Sequence, residues 1–195
     1  MAKGKKIQKS QPTEAVSLIL PSLYLGPCSA ASNKAFLTSN AITHVLSVGS
    51  TPSEKIEGVT YHRLSLNDSP SSSISKVSDD ACKIIDDALA SKAKGGGTGK
   101  ILVHCSAGIS RSPTLVIAYL MRSHRMSLKA AMGLVVKARP QVSPNPGFIK
   151  QLQVLEEEIF GLVTLDIDQL PKREKDRLAL FEDDASSSVD VPQDE

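Results

Sequence analysis

Ile101-Leu102-Val103-His104-Cys105-Ser106-Ala107-Gly108-Ile109-Ser110-Arg111-Ser112-Pro113-Thr114-Leu115-Val116-Ile117 holds two unlike apolar runs on either side of a polar loop. The first, Ile101-Leu102-Val103, is apolar at successive positions, a pattern that fits a central strand covered on both faces. The second runs on to Met121 and is apolar all round, which makes it a helix with no side facing water. Ser112 and Pro113 suit the cap and first turn of that helix. A buried strand feeding a buried helix through a short loop places the chain in the α/β class.

The loop carries one thiol and one guanidinium with small residues between them. A loop that closes around an anion points successive backbone N–H groups inward, and a helix beginning at its end adds the positive end of its dipole. Ser106, Ala107, Gly108, Ile109 and Ser110 therefore read as a phosphate cradle, completed by Arg111, whose planar fork can hold two phosphate oxygens. Ala107 and Gly108 leave the approach open, and glycine takes backbone angles closed to other residues. The field that holds a phosphate also stabilises a thiolate, so the Cys105 thiol is expected at ~3.5 to 7.5, where activated thiols fall. It then needs no separate base. Ser112 is placed to donate its hydroxyl to the sulfur and ease its departure. His104 is assigned to orienting the loop by hydrogen bonding.

Upstream, residues 17 to 25 read as two short strands around Pro21-Ser22, residues 30 to 39 as a helix, and residues 43 to 48 and 59 to 66 as two more strands. From Ile74 the period changes. Val77, Ala81, Ile84, Ile85, Ala88 and Leu89 recur at helical spacing with Asp79, Asp80, Lys83, Asp86 and Asp87 opposite, as in an amphipathic helix lying on a sheet. Downstream, Ser127 can cap a third helix that Pro140 stops near Arg139. Asn145-Pro146 opens a fourth, with Ile149, Leu152, Leu155 and Ile159 inward and Glu156-Glu157-Glu158 turned largely to solvent. Gly95-Gly96-Gly97-Thr98-Gly99-Lys100 has the look of a nucleotide-binding loop, but Lys94 stands where that pattern needs glycine and Ile101 where it needs Ser or Thr. It reads as a flexible linker between helix and strand.

A chain of 195 residues, 41% of them hydrophobic and 23% charged, is long enough for one domain with a substantial core and short for two. Residues 1 to 14, with four lysines against one Glu, read as a basic tail; residues 15 to 162 hold the patterned segments; residues 163 to 195 are expected to be a largely disordered acidic tail. No apolar run approaches bilayer length and no signal segment opens the chain, so no membrane association is expected and the cytoplasm, the nucleus or both are the expected location. A net charge of +2 and seven aromatics, none of them Trp, argue against nucleic acid as a partner. Cys28, Cys82 and Cys105 form no C-x-x-C pair and the four histidines have no metal-ligand spacing, so no metal, cofactor or disulfide framework is expected. Cys28 and Cys82 read as small buried apolar residues.

The loop from His104 to Ser112 resembles the H-C-x5-R-[ST] signature of the protein tyrosine phosphatase superfamily, and its Ala-Gly-x-Ser-Arg-Ser filling is similar to that of the dual-specificity branch. Leu23-Tyr24-Leu25-Gly26, Ile42-Thr43-His44-Val45-Leu46, Asn67-Asp68-Ser69-Pro70, and Arg139-Pro140 followed by Pro144-Asn145-Pro146-Gly147-Phe148 extend the resemblance over about residues 17 to 160. It implies a central mixed, mostly parallel sheet of about five strands flanked by helices. It also implies a small, atypical dual-specificity phosphatase that hydrolyses phosphotyrosine and phosphoserine or phosphothreonine on phosphoprotein substrates through a phosphocysteine. In that scheme Cys105 is the nucleophile, Arg111 the clamp, Ser112 the hydroxyl donor and Asp68 the general acid. Asp68 also follows an expected strand and lies in an Asn-Asp-Ser-Pro loop able to swing over a pocket. Two competing readings are a phosphoinositide or RNA 5′-phosphatase on the same fold, whose relatives carry lysines or histidines inside the loop, and a phosphoprotein-binding scaffold, whose relatives lose the cysteine. Here Ser106, Ala107, Ile109 and Ser110 are neutral and Cys105 is kept.

Overall fold

The computed structural model describes residues 15 to 93 and 96 to 182. Five strands, β1 (Ser17–Leu20), β2 (Leu23–Gly26), β3 (His44–Val48), β4 (Thr60–Leu64) and β5 (Ile101–His104), form one sheet in the order β1-β2-β5-β3-β4. β1 turns back on β2 antiparallel, and β2, β5, β3 and β4 run parallel to their neighbours. This is the mixed, mostly parallel five-stranded sheet expected. β5 is the middle strand and all four of its residues are buried. Ile101 and Val103 enter the larger core, while Leu102 enters a smaller one with Val45, Leu37 and Ile42. Successive strand side chains point to opposite faces, which is why a strand between two cores has to be apolar at every position.

The smaller core is covered by a 3-10 turn (Cys28–Ser32) and by α1 (Lys34–Ser39). A single helix over residues 30 to 39 does not form. Asn33 interrupts it with extended backbone, its side chain accepting from Phe36 N at 3.0 Å to start α1 afresh. Asn offers the backbone this local alternative to a continuing helix.

The larger core lies under α2 (Ser75–Ala90), α3 (Arg111–Ser123), α4 (Leu128–Ala138) and α5 (Pro146–Phe160). Every residue of α3 from Ser112 to Met121 is buried, as the all-round apolar pattern demands. Ser127 and Asn145 cap α4 and α5 by accepting from Ala130 N and Phe148 N. α3, however, starts two residues earlier than expected, at Arg111 rather than Pro113, with Ser110 as its uncapped N-terminal neighbour. Ser112 therefore stands inside the first turn, where its hydroxyl is not used for capping.

Two expectations at the carboxyl end are corrected. Glu156 is not solvent-facing: it is 0% exposed and accepts from Leu128 N (2.6 Å), Thr164 N (2.7 Å) and Thr164 Oγ1 (2.6 Å), so it ties the start of α4 to the chain beyond α5. Nor does ordered structure end at residue 162. Leu165, Leu170 and Phe181 enter the larger core, and α6 (Glu174–Ala179) follows Arg173. The ring of Phe181 lies against Gly133 of α4, where an added Cβ would come within 3.1 Å of it. The expectations for residues 1 to 14 and for the acids beyond Glu182 lie outside the described residues.

The glycine-rich segment before β5 is less open than a linker. Lys92 and Thr98 pair as an antiparallel bridge, and Ala93 N donates to Gly97 O, with Lys94 and Gly95 outside the described residues. It stands at the amino end of β5, the opposite end from Cys105.

Candidate active site

Four neighbouring parallel strands bring their carboxyl ends to one edge of the sheet, which is where open α/β sheets place their ligands. Cys105 follows β5 at that edge and is 3% exposed. The loops after β2, β3 and β4 supply Cys28, Gly49 with Ser50, and Asp68.

The loop from Cys105 to Ser110 is held by its carbonyl oxygens. His104 Nδ1 lies 3.1 Å from Cys105 O, and Cys28 N donates to Ser106 O at 3.0 Å. Arg139 donates through Nη2 to Ala107 O (2.9 Å) and through Nε to Gly108 O (2.8 Å). Ser143 N donates to Ile109 O at 2.8 Å, and Thr114 to Ser110 O through both its amide and its hydroxyl. A peptide whose carbonyl is bound behind the loop turns the following N–H to the front. The amides of Gly108, Ile109 and Ser112 accordingly reach the Cys105 sulfur. Gly108 takes φ +66, and a Cβ there would stand 2.5 Å from Gly26 O, so this close seat on β2 admits glycine alone.

Burial by itself would push the Cys105 thiol up. Hydrogen bonds from the Ser112 hydroxyl and then from the amides of Ser112, Gly108 and Ile109 outweigh it, and the thiol falls below its ordinary value. Ser112 Oγ is fully buried and makes no hydrogen bond to any other group. His104 is completely buried, its Nε2 2.8 Å from Ser47 Oγ, and burial lowers its pKa against the opposing pull of Cys105 O. A neutral imidazole that bridges β3 and the loop suits the orienting role expected of it.

Arg111 is held at its tip. Nη1 donates to Gly49 O (3.0 Å) and Nη2 to Ser106 Oγ (2.9 Å), which is itself 2.8 Å from Ser50 Oγ. Gly49 is required here: at φ +67, a Cβ would lie 2.2 Å from Leu66 O and 2.5 Å from Arg111 Nη1. Asp68 faces the same guanidinium, with Oδ2 3.9 Å from Arg111 Nε. Its other oxygen accepts from Ser110 Oγ (2.7 Å) and Asn145 Nδ2 (2.9 Å). The Ser110 hydroxyl is thus engaged by Asp68 and by Asn145 N.

The Asp68 loop is anchored along its length to the start of α5. Beyond the Asn145 bond, Gly147 meets Pro70 so closely that a Cβ would lie 2.1 Å from Pro70 O. Gln151 accepts from Ile74 N and donates to Ser72 O and Gly147 O. In this structure the loop expected to swing is docked on α5.

Sequence reasoning missed Gly49, Ser50, Gln151 and the roles of Arg139 and Asn145. Only the last two stood in a quoted stretch, as a helix stop and a cap; no local pattern marks the others. Cys82 packs into the larger core, where burial above all pushes its thiol to about 11. Cys28 departs from the buried apolar reading. It is half-buried beside the loop, its thiol donates to Thr51 O at 3.3 Å, and its pKa is raised by burial and then by the charge of Cys105. Among the described residues, no three His, Cys, Asp or Glu side chains gather as metal ligands would.

The chain as a whole resembles known proteins. The model of the dual specificity phosphatase catalytic domain fits residues 23–158. The chain is 41% identical over 147 residues to dual specificity protein phosphatase 1B of Arabidopsis thaliana, spanning 75% of this chain and 84% of that one. It is 37% identical over 167 residues to dual specificity protein phosphatase 18 of Homo sapiens, spanning 85% and 86%. Among solved structures it superposes on a mouse putative dual specificity phosphatase complexed with zinc tungstate, with a TM-score of 0.68, 30% identity, and 80% and 94% of the two chains covered. The chain belongs to the dual specificity phosphatase family and is a cysteine-based protein phosphatase. Leu165 to Phe181, with α6, lie beyond the matched catalytic domain.

Proposed function

We propose that this protein removes phosphate from phosphotyrosine and from phosphoserine or phosphothreonine through a phosphocysteine at Cys105. The Cys105 thiolate attacks phosphorus in line while the loop amides and Arg111 hold the three non-bridging oxygens. As the bond from phosphorus to the side-chain oxygen breaks, Asp68 gives that oxygen its proton. Asp68, now a carboxylate, takes a proton from water as the water attacks phosphorus, and the sulfur leaves as a thiolate assisted by the Ser112 hydroxyl. Each step is supplied by a side chain or an amide of this chain.

The observation that supports the reading is the Asp68 carboxyl lying 3.9 Å from Arg111 Nε and accepting from Ser110 Oγ, at the mouth of the amide loop around the lowered thiol. Protein substrates are favoured because the cradle residues Ser106, Ala107, Ile109 and Ser110 bring no cation for a second anionic group. The three free thiols suit a reducing compartment, cytoplasmic or nuclear.

The test is turnover by the purified protein of phosphotyrosine and phosphothreonine peptides, phosphoinositides and 5′-triphosphate RNA, with Cys105→Ser alongside. Both peptide classes are expected to turn over, and the serine variant to lose at least ~10³ in rate. Strict phosphotyrosine selectivity, or preference for a phosphoinositide or RNA, would overturn the substrate assignment. A serine variant that keeps its rate would overturn the nucleophile.

A further inference from the structure

Six carbonyl oxygens of the phosphate loop, from Cys105 to Ser110, are each bound from behind, and five of the bonding groups are backbone amides, a hydroxyl or a neutral ring. Arg139 is the exception. It binds two consecutive carbonyls, Ala107 O and Gly108 O, with a guanidinium that is 1% exposed, and its remaining nitrogen donates to Ala15 O ahead of β1. Those two carbonyls belong to the peptides whose N–H groups, at Gly108 and Ile109, point at the Cys105 sulfur. A carbonyl turned toward an anion repels it, and in this water-excluded site a fixed dipole acts with little screening. The rigid fork matters because it offers a separate nitrogen to each of the two carbonyls and a third to Ala15 O, whereas an ammonium would have to serve all three from one nitrogen on a flexible stem. The segment carrying Arg139 is itself held from outside the catalytic domain, since Arg177 of α6 donates to Pro140 O at 2.8 Å and to Pro171 O and Lys172 O.

We propose that Arg139 is a positioning residue of the phosphatase, holding the 107–108 and 108–109 peptides so that their N–H groups face the thiolate and the transferring phosphoryl group. The role rests on Cys105 being the nucleophile. The cation stands behind the ring, Arg111 and Asp68 stand in front, His104 lies beneath, and Cys28 is beside it. Opposite charges fit the same geometry: the anion at Cys105 supports the Arg139 charge against the burial that lowers its pKa.

Arg139→Lys keeps a cation and most of the stem but offers one nitrogen where the guanidinium offers three; Arg139→Met keeps the stem alone. Two readouts separate positioning from structural support: inhibition by orthovanadate, and the rate of Cys105 alkylation by iodoacetamide at pH 6, both at a temperature where melting curves show the variant folded. In both variants the vanadate inhibition constant is expected to rise and the alkylation rate to fall, by at most about tenfold for each unit the thiol pKa rises. A purely structural role would lower the melting temperature and leave both constants of the folded protein at wild-type values, and that result in either folded variant overturns the proposal. Should neither variant fold, Arg177→Ala loosens the same segment from behind and is expected to shift both readouts roughly two- to threefold in the same direction; wild-type values there would assign Arg139 to folding alone. Cys105→Ser is assayed in parallel, so a failure of the nucleophile assignment is seen separately from a failure of the Arg139 role.

Discussion

Gly49 shows how one missing methyl group can set the position of the Arg111 guanidinium. Its carbonyl receives Arg111 Nη1, its φ is +67, and a Cβ would collide with Leu66 O and with the guanidinium together. Gly49→Ala therefore costs backbone strain of ~1 to 2 kcal/mol and displaces the clamp as well. Orthovanadate inhibition is expected to weaken by at least about tenfold, and turnover to fall with it, since a bond to a charged group of this kind is worth roughly 1.5 to 3 kcal/mol. A variant with weaker stability but unchanged vanadate affinity would show that Arg111 finds its seat another way. Asp68 answers to a different probe. Asp68→Asn keeps the shape and can still accept from Ser110, but has no proton to give, so rates on alkyl phosphates should drop ~10² to 10⁴ and those on a good leaving group much less. Equal losses on both substrates would move the acid elsewhere. Ser112→Ala acts on the thiol: without its hydroxyl the Cys105 pKa rises, and the acidic limb of the pH–rate profile should move to higher pH. An unmoved limb would leave the lowering to the amides alone.

At the scale of elements, α5 is both a core helix and the dock of the acid loop. Gln151→Leu keeps the apolar packing of the helix but removes one acceptor from Ile74 N and two donated bonds, one to Ser72 O. Turnover of alkyl phosphates is expected to fall while vanadate affinity holds, because Arg111 and the phosphate loop are untouched; loss of both together would mean that the dock supports the whole site. Local elements were legible from sequence for a physical reason. The caps Ser127 and Asn145 act on amides three residues away, and the all-apolar runs of β5 and α3 state their burial in their own composition. Glu156 was misread because its partners, Leu128 and Thr164, are brought to it by packing that the acidic run Glu156-Glu157-Glu158 does not encode. Cys105 and Arg111 were readable as a candidate pair because only five residues of loop separate them. Gly49, Gln151 and the second role of Arg139 were not, since each meets its partner across a gap of tens of residues in sequence.

The whole molecule adds two terms that no single element carries. One is pH: His44 stacks on His62 between β3 and β4, and burial, then the His62 charge, lowers the His44 pKa, while burial lowers that of His104 beneath the loop. Unfolding restores both to about 6.5, so the unfolded chain binds more protons just below that value and stability falls as pH drops through it. Thermal melts from pH 8 to pH 5 should show this loss, reduced in His44→Gln; an identical profile in that variant would place the acid lability in other groups. The second term is the carboxyl-terminal segment, whose Leu165, Leu170 and Phe181 complete the core under α4 and α5, while Arg177 clips it to Pro140. At ~1.5 to 3 kcal/mol for each large apolar side chain taken from water, three of them make up a large share of the ~5 to 15 kcal/mol by which a domain is stable. Deleting residues 165 to 195 should therefore lower the urea midpoint sharply and expose apolar surface on α4, seen as dye binding and aggregation on mild warming. Deleting residues 183 to 195 should leave the midpoint where it is, and equal midpoints for the two truncations would mean that the catalytic domain closes its core without the segment.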